Sequence, residues 1–351
     1  MRLGSHDYVQ TLKGQTLTFP DIDGLFKDWP VGFNPHYDIL KQVQNAELLK
    51  LLGPSKRYDA LVAADCAFHA ASWWPTATFD SLRVVSSLVA FLYVWDNEID
   101  SPEFGDLSSN LDAGERFRER TIAHIKKYLG EDLPESGVRS EQVEMAIASF
   151  NPVGETAGFR LPKSQRRLFL EENIRFVLAT GYEQRVELRG KAPTIEEYMH
   201  IRMGTSGVAT LSALTEYMMQ IDLGEEIRND PDIQTIHSQS NAIVSLVNDI
   251  FSLRKELAFP FYCNAVAVLY NKHRNLQVAV NKTYQMVVAS VQSLNDAGEK
   301  LLTRYPNRRS DLEAFIYAAK TMCTGNIAWS RMTRRYKLEV DKFDGTTSIT
   351  L

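Results

Sequence analysis

The 351-residue sequence predicts an all-α protein that folds as one large helical bundle, and three observations support this prediction. Apolar residues recur mainly at spacings of three and four, which is typical of helices that bury one face. Alternating apolar and polar runs between turn residues, the pattern of half-buried strands, are scarce. No repeat, low-complexity tract or linker divides the chain, so we expect a single domain.

Helices are predicted along most of the chain. Residues 194–197 (TIEE) and 310–313 (SDLE) have the pattern of a capping box, and each precedes a long helical stretch. With approximate ends, the predicted helices are 37–52, 56–72, 81–100, 113–129, 140–149, 164–189, 234–257, 275–304 and 311–336. Breaks are predicted in the Pro-, Gly- and Asp-rich stretches 101–113, 130–137 and 222–232.

The ends of the chain lack a comparable helical pattern. We expect residues 1–20 to be a disordered N-terminal segment and residues 345–351 to be a flexible C-terminal tail, because chain ends are commonly poorly ordered. Residues 21–344 then form the folded α-domain.

Composition and charge are those of an ordinary soluble globular protein, with 44% hydrophobic and 24% charged residues. The net charge of −5 gives no basic excess, so no nucleic-acid partner is expected. Apolar runs are too short for a membrane span, and the N-terminus lacks the apolar core of a secretory signal. Cys66, Cys263 and Cys323 are widely spaced, which favours buried free thiols and a cytoplasmic location.

Missing motifs exclude several enzyme classes. The seven histidines include no HExxH pair, and the sequence has no glycine-rich dinucleotide fingerprint, no P-loop and no GxSxG elbow. Zinc-dependent proteases, Rossmann-fold oxidoreductases, P-loop NTPases and α/β-hydrolases are therefore poor interpretations.

An acidic cluster closes the predicted helix 81–100. Asp96 and Asp100 are four residues apart and share a helical face, and Asp96 lies on the side of Leu88 and Leu92 that we expect to point inward. A carboxylate there is costly unless a charge partner or a metal compensates, and Mg²⁺ prefers carboxylate and phosphate oxygens. The alternative is an ordinary acidic helix end, and this motif alone does not decide between the two.

A polar stripe lies near the end of the predicted helix 234–257. Asn248, Ser252 and Glu256 stand at i, i+4 and i+8, so they share one face over about 12 Å. An amide, a hydroxyl and a carboxylate form a plausible set of oxygen ligands for one Mg²⁺, and Lys255 beside them could bind a phosphate oxygen. The alternative is a polar stripe that faces solvent.

Together these two segments resemble the class I terpene synthases. Residues 248–256 (NDIFSLRKE) are similar to the NSE motif of that family, NDxxSxxKE. Residues 96–100 (DNEID) are similar to its aspartate-rich motif, D(D/N)xx(D/E), and lie in the expected order, before the NSE motif. The resemblance is greatest to microbial, particularly fungal, sesquiterpene synthases. It implies a single-domain helical bundle around a central active-site cavity.

Two further features carry the resemblance. Arg202 precedes the NSE-like motif at the distance of the family's diphosphate-sensing arginine. Near the C-terminus, Arg335 and Tyr336 match the family's arginine–tyrosine pair, and Trp329 matches the aromatic residue before it. The sequence departs from the common pattern at Thr205, where many members have an aspartate after the sensor arginine. The next functional position is either Ser206 or Gly207.

The resemblance implies a lyase that ionises a prenyl diphosphate and cyclises the carbocation, with inorganic diphosphate as product. Farnesyl diphosphate (C15) is favoured as substrate, geranylgeranyl diphosphate (C20) is the alternative, and a homodimer is left open. Three Mg²⁺ ions, replaceable by Mn²⁺, are implied, with Asp96, Asn248, Ser252 and Glu256 as ligands and Asp100 in support. The implied diphosphate-binding residues are Arg202, Asn248, Lys255, Arg335 and Tyr336.

The cation also needs a dry pocket lined by groups that stabilise it without attacking it. Aromatic faces do so. The pocket candidates are Tyr93, Trp329, Thr205, Ser206 and Gly207, with Phe68, Phe91 and Trp95 as weaker ones. For each aromatic residue other than Trp329, ordinary core packing is the more common role.

Two other functions compete with this interpretation. A chain-elongating prenyltransferase would carry a second DDxxD motif, whereas this chain has NDIFSLRKE at that place. A non-catalytic helical scaffold gives no reason for oxygen ligands at the ends of two apolar helices. Binding of Mg²⁺ together with diphosphate would separate a scaffold from an enzyme.

Overall fold

The computed structural model describes residues 11–100, 105–130, 143–257, 264–336, 338 and 342–351. These residues are predominantly helical, which confirms the all-α prediction. In chain order the elements are β1 Thr16–Thr18, α1 Ile22–Leu25, α2 Tyr37–Leu52, α3 Lys56–Ala64, α4 Cys66–Trp73, α5 Phe79–Asp100, α6 Leu111–Leu129, α7 Met145–Ala148, α8 Asn151–Arg160, α9 Lys163–Leu188, α10 Ile195–Thr205, α11 Val208–Ser212, α12 Thr215–Met219, α13 Gly224–Arg228, α14 Pro231–Glu256, α15 Ala265–His273, α16 Leu276–Arg304, α17 Arg309–Met332 and β2 Ser348–Thr350, with single 3₁₀ turns at Leu107–Ser109 and Pro306–Arg308.

Helix α14 lies at the centre of the bundle. It packs along α16 and α17 on one side and contacts α10 and α11 on the other. Its apolar face, which includes Ile243, Leu246 and Ile250, is almost completely buried. Asp230 caps its first turn, accepting a hydrogen bond from the backbone N–H of Asp232. The polar stripe of α14 lies opposite this apolar face, and Asn248 and Glu256 of the stripe line a cavity.

Helix α5 forms a second wall of that cavity. It packs against α4 and α8, and most of its residues between Ser81 and Trp95 are buried. The indole N–H of Trp95 donates to the hydroxyl of Thr121 on α6 at 3.0 Å, which satisfies the polar atom of this buried ring. The acidic end of α5 is thus fixed by a well-packed apolar helix.

The predicted helix 56–72 is two helices, because the chain breaks at Asp65. This residue adopts the left-handed conformation, with φ of 53°, and its side chain caps α4 by accepting from the backbone N–H of Phe68. The hydroxyl of Tyr37 and the ammonium of Lys41 both donate to the same carboxylate. Asp tolerates this conformation when its short side chain is hydrogen-bonded locally.

One predicted capping box is confirmed and one is wrong. Thr194 caps α10, accepting from the backbone N–H of Glu197 at 3.2 Å. Ser310 does not cap α17, because the 3₁₀ turn Pro306–Arg308 continues directly into a helix that starts at Arg309. Glu313 instead forms an ion pair with Arg309 at 2.8 Å. The predicted helix at 140–149 covers only Met145–Ala148, and its first three residues lie outside the described ranges.

The chain ends differ from the sequence prediction of flexible segments. Thr16–Thr18 and Ser348–Thr350 form an antiparallel pair in which Leu17 lies opposite Ile349. The side chain of Gln277 on α16 bonds to both backbone groups of Thr18, which docks this pair on the bundle. These two chain ends are ordered because they bury apolar side chains: Leu17 is fully buried and Ile349 is nearly so. Residues 1–10 of the predicted N-terminal segment lie outside the described residues.

Two smaller expectations concern cysteines and membranes. Cys66 and Cys323 are buried free thiols, and Cys263 falls outside the described part of the chain. Among the helices that the structure describes, none has the length and apolar character needed to cross a bilayer.

We predict that Ile349→Ala lowers the free energy of unfolding by about 2 kcal/mol, because the side chain loses buried apolar surface. Thermal or urea unfolding followed by circular dichroism would measure this loss. Thr350→Ala, on the exposed side of the same strand, is the matched control and should leave stability nearly unchanged. Equal stability of the two variants would contradict a docked C-terminal strand.

Candidate active site

A cavity opens between the ends of α5 and α14, with α4, α10, α11 and α17 as further walls. Its volume is about 180 Å³, far more than the roughly 10–15 Å³ that a single water requires on the same measure. Charged and hydrogen-bonding residues line one end, and apolar and aromatic residues line the rest. The lining residues are His69, Trp73, Val89, Leu92, Tyr93, Asp96, Phe176, Arg202, Thr205, Ser206, Gly207, Val208, Leu211, Val244, Ser245, Asn248, Lys255, Glu256, Asn326, Trp329, Arg335 and Tyr336.

The aspartate-rich segment contributes Asp96 to this cavity, whereas Asp100 is exposed and does not line it. Between them, Glu98 forms an ion pair with Arg57 of α3 at 2.7 Å. The arginine of α3 thus pairs with Glu98, and Asp100 keeps only the supporting role that the resemblance implies. Tyr93, one turn before Asp96, faces the same cavity and lies under the guanidinium of Arg335, with 5.1 Å from its carbon to the ring centroid.

Two residues of the polar stripe of α14, Asn248 and Glu256, line the same cavity as Asp96. Asn248 donates from its Nδ2 to the hydroxyl of Tyr336 at 2.5 Å and accepts from Arg202 Nη2 at its Oδ1 at 2.8 Å. One turn later, the hydroxyl of Ser252 is buried and has no hydrogen-bond partner in the described part of the chain. A buried hydroxyl without a partner is uncommon and suggests that a ligand completes its bonding.

Glu256 is oriented by Asn264, which caps the following helix α15. Asn264 donates from its Nδ2 to a Glu256 carboxylate oxygen at 2.8 Å and to the backbone carbonyl of Asp249 at 2.7 Å. Its own amide oxygen accepts from the first backbone N–H groups of α15. The cap of one helix thus fixes a carboxylate at the end of another, and one Glu256 oxygen remains outside this contact.

Arg202 reaches the cavity from α10 and is held by a buried carboxylate. Asp249, fully buried, lies 3.1 Å from Arg202 Nη2 and also accepts from the hydroxyl of Tyr198 and the backbone N–H of Ala265. Burial raises the pKa of Asp249 to about 6, so it is ionised at neutral pH. Burial opposes the charge of Arg202, but Asp249, Tyr198 and Glu256 outweigh it and raise its pKa. Arg202 is therefore a fixed cation at the cavity.

Arg335 and Lys255 bring two more basic side chains to the same end. Burial disfavours the charge of Arg335, but the neighbouring Tyr93, Tyr336 and Asp96 raise its pKa nonetheless. Burial, followed by repulsion from Arg335, lowers the pKa of Lys255 to about 8. An anion between these residues would relieve that repulsion, so this end of the cavity is suited to a polyanionic group.

Aromatic rings line the rest of the cavity in a continuous row. Trp329 packs edge-on against Tyr336, with 5.4 Å between centroids, and lies 4.9 Å from the ring of His69. Its indole N–H donates to the carbonyl of Ala64 at 2.7 Å, which fixes the ring. Trp73 follows, 4.6 Å beyond His69. Of the weaker aromatic candidates from the sequence, Phe68, Phe91 and Trp95 are not among the lining residues.

The segment between α10 and α11 supplies polar atoms to a third wall. Gly207 has φ of 72°, which interrupts the helix, and an added Cβ would meet Leu92 at 3.0 Å. Ser206 donates to the amide oxygen of Asn241, whereas the hydroxyl of Thr205 is buried and lacks a hydrogen-bond partner in the described chain. All three predicted residues of this segment line the cavity.

Several residues of this site were not nominated from the sequence. Asn264 and Tyr198 orient Glu256 and Asp249 from other helices, and His69 and Trp73 line the apolar walls. Asp249 lies inside the NSE-like segment that the sequence identified. Its role as the ion-pair partner of Arg202 was not predicted. The sequence carries no local pattern that identifies the other residues, because the packing between helices decides which of them meet.

The oxygen donors fit a hard divalent cation. Among the described residues, no three His, Cys, Asp or Glu side chains converge, so the donors are divided between two walls. Asp96 stands on one, and Asn248 and Glu256 stand on the other. Ser252 lies between these two on the same helix and is buried, but it is not among the residues that line the cavity. Carboxylate, amide and hydroxyl oxygens are ligands that Mg²⁺ accepts, and the free hydroxyl of Ser252 agrees with that assignment.

The chain is similar to known proteins over most of its length. The chain is 28% identical over 337 residues to a sesquiterpene cyclase, hepA, of Aspergillus oryzae, covering 93% of this chain and 90% of that protein. It is 25% identical over 322 residues to a (+)-eremophilene synthase of Sorangium cellulosum, covering 90% and 93% of the two chains.

Solved structures share the fold. An α-eudesmol synthase aligns with a TM-score of 0.73 at 17% identity, covering 86% of this chain and 96% of its own. A linalool/nerolidol synthase of Streptomyces clavuligerus, solved with 2-fluorogeranyl diphosphate, aligns with a TM-score of 0.72 at 16% identity, covering 88% and 98%.

A helical bundle with oxygen donors and cations at one end of an aromatic cavity defines a metal-dependent enzyme for a diphosphate substrate. A family model described as terpene synthase family 2, C-terminal metal binding, matches residues 87–293, more than half of the chain. The chain belongs to this family and is a class I terpene synthase, a lyase that acts on prenyl diphosphates and uses a divalent metal.

We predict that acid destabilises the protein through His69, which is buried, and His237, which is partly buried. Burial lowers the pKa of His69 to about 3 and that of His237 to about 4, whereas the unfolded chain binds these protons near pH 6.5. Below pH 6.5 the unfolded state therefore binds more protons, and the free energy of unfolding falls by up to ~1.4 kcal/mol per pH unit for each histidine.

Urea unfolding at pH 7 and pH 5 would measure this effect. His69→Phe keeps a flat ring and removes the titrating group, so the stability difference between the two pH values should shrink by about 2 kcal/mol. His237→Phe should produce a similar reduction independently. The same pH dependence in wild type and His69→Phe would contradict a buried, neutral histidine at this position.

Proposed function

We propose that the protein is a Mg²⁺-dependent sesquiterpene cyclase that ionises farnesyl diphosphate, cyclises the carbocation and releases diphosphate. The observation that carries this proposal is the division of one cavity into two parts. Three basic side chains and two carboxylates lie at the end formed by α5, α14 and residues 335–336, and aromatic rings line the opposite part. A substrate with a charged head and a long apolar chain matches this cavity, because its head fits the charged end and its chain fits the aromatic part.

Arg202, Lys255 and Arg335 bind the diphosphate, with Asn248 and Tyr336 as hydrogen-bonding partners. Arg202 is held by Asp249, and the Asn248–Tyr336 hydrogen bond joins α14 to the C-terminal segment. These groups are fixed before the reaction, so they stabilise the leaving diphosphate without reorganising as negative charge develops on it.

Asp96 on one wall, and Asn248, Ser252 and Glu256 on the other, are the residues that would hold magnesium. When bound, the metal supplies positive charge that stabilises the departing diphosphate. We assign three ions to this site, with Mn²⁺ as a substitute, and Asp100 supports it from outside the cavity. Asn264 positions Glu256 for this role through its 2.8 Å hydrogen bond.

After ionisation, the cavity must shield a carbocation from water and nucleophiles. Tyr93, Trp329 and Trp73 present aromatic faces, and such faces stabilise a nearby cation by roughly 2 kcal/mol when desolvated. The hydrogen bond from Trp329 to Ala64 occupies its only polar atom, so the ring turns no unsatisfied donor toward the substrate. Thr205, Ser206 and Gly207 set the contour of the third wall.

The C15 substrate is proposed from the relatives named as sesquiterpene cyclases and synthases, which align over most of their length. Residues 21–344 act as one catalytic domain in this proposal. We further propose that the enzyme is cytoplasmic and functions as a monomer or a homodimer.

Incubation of the purified protein with Mg²⁺ and C10, C15 or C20 prenyl diphosphates tests the proposal directly. We expect cyclic C15 products from farnesyl diphosphate by gas chromatography and mass spectrometry, and loss of turnover when EDTA removes the metal. Greater turnover of geranylgeranyl diphosphate would replace the sesquiterpene assignment with a diterpene synthase. Condensation of the C10 and C15 diphosphates with isopentenyl diphosphate would instead indicate a prenyltransferase.

We predict that Asp96→Asn and Glu256→Gln each lower kcat by about 10³-fold, because metal charge contributes several kcal/mol to stabilising the leaving group. Each change removes a charge and keeps the shape, so the melting temperature should be nearly unchanged. Glu98→Gln is the matched control, since Glu98 lies in the same turn of α5 but pairs with Arg57. Near-normal turnover in both variants would remove Asp96 and Glu256 from the site.

A further inference from the structure

His69 is a buried basic group for which neither the fold nor the diphosphate end of the cavity provides a use. It lies on α4, lines the cavity and is 93% buried, with an exposed fraction of 7%. Its ring lies between Trp73 and Trp329, with centroid distances of 4.6 and 4.9 Å. Neither ring nitrogen has a hydrogen-bond partner in the described part of the chain.

Ordinary packing does not account for this arrangement. A buried imidazole normally bonds through at least one nitrogen, because an unpaired polar group away from water costs about 1–3 kcal/mol. His124 shows the usual case, since its Nε2 lies 2.7 Å from the amide oxygen of Asn151. A phenylalanine at position 69 would fill the same space between two tryptophans without that cost. The imidazole is therefore retained at the expense of stability.

The position of His69 relates it to the hydrocarbon part of the substrate. Trp329 lies between His69 and Tyr336. The Tyr93 ring, 6.5 Å from that of His69, packs under Arg335, so one layer of rings separates His69 from these diphosphate-binding side chains. A diphosphate bound by those side chains would hold the head of the substrate on their side of the rings, and carbons farther along the chain would extend to the side where His69 lies.

His69 is also the strongest base among the groups on this side of the cavity. Ser245 and Asn326 line it too, but a hydroxyl and an amide oxygen are much weaker bases than an imidazole. Burial lowers the pKa of His69 to about 3, which keeps the ring neutral and its nitrogen lone pair available at neutral pH. A carbocation is so strong an acid that this reduced basicity is still sufficient.

We propose that His69 accepts the proton that ends the cyclisation, which makes the main product a hydrocarbon rather than an alcohol. This role rests on the proposed function. A C–H bond next to the final cationic carbon breaks, its electron pair becomes the new C=C bond, and the proton forms an N–H bond on His69. The imidazolium then returns the proton to water once the product has left, so the step needs no further reactant.

Product analysis of His69→Phe and His69→Gln tests this role. His69→Phe keeps the stacked ring without a basic nitrogen, and His69→Gln keeps polarity without the basicity. In both, we expect kcat to fall by less than about tenfold, because metal and cationic groups still drive ionisation. The share of the main hydrocarbon should fall at least about fivefold, which corresponds to a barrier change of about 1 kcal/mol. Other olefins or an alcohol should replace it.

His237→Phe is the matched control. It removes another histidine, on α14, whose ring packs 5.1 Å from Phe315 and which does not line the cavity. Its product mixture should equal that of the wild type. Circular dichroism melts of all three variants identify any that do not fold, and His69→Gln decides the test if the phenylalanine variant is unfolded at the assay temperature.

A second readout isolates the proton transfer. Once the wild-type product is known, deuterium placed at the carbon that loses the proton should lower the share of that product in the wild type through a primary isotope effect. A folded His69 variant with the wild-type product mixture and the same isotope effect would overturn the proposal. Absence of any turnover by the wild type would instead contradict the proposed function.

Discussion

The buried ion pair between Arg202 and Asp249 is the interaction on which the site depends. Asp249 lies on α14 and Arg202 on α10, so their contact fixes the two helices relative to one another. Removal of one partner from such a pair typically costs about 3–5 kcal/mol, because the other charge is left buried. Tyr198 and the N-terminal backbone of α15 stabilise the same carboxylate. The guanidinium can therefore face an anion without losing its position.

The same end of α14 connects the remaining parts of the site. Asn248 adjoins Asp249 and bonds to both Arg202 and Tyr336, and Asn264 bonds to the carbonyl of Asp249 and to Glu256. One helix turn thus joins the cation from α10, the carboxylate of the proposed metal site and the C-terminal segment. Because these contacts are direct hydrogen bonds, the three parts of the site hold one another in position.

The sequence was informative where a function depends on spacing along one helix and uninformative where it depends on packing between helices. Asp96 and the 248–256 segment follow from periodicity and resemblance, and the structure brings Asp96, Asn248 and Glu256 to one cavity. The break at Asp65 has no Gly or Pro to mark it, since an aspartate adopts the left-handed conformation there. The pairing of Thr16–Thr18 with Ser348–Thr350 joins residues more than 300 positions apart, and no local pattern specifies it.

Some of the unsatisfied polar atoms lie where the chemistry is expected. The ring nitrogens of His69, the indole nitrogen of Trp73, the hydroxyl of Thr205 and the Nε of Arg202 belong to residues that line the cavity, and each is buried without a hydrogen bond in the described part of the chain. A stable core would exclude such atoms or pair them. Their surroundings differ, because Arg202 lies beside Asn248 and Asp249. His69 instead lies beside Trp73 and Trp329. The stability lost at these positions is consistent with a cavity whose bonding is completed by a substrate that is ionic at one end and apolar at the other.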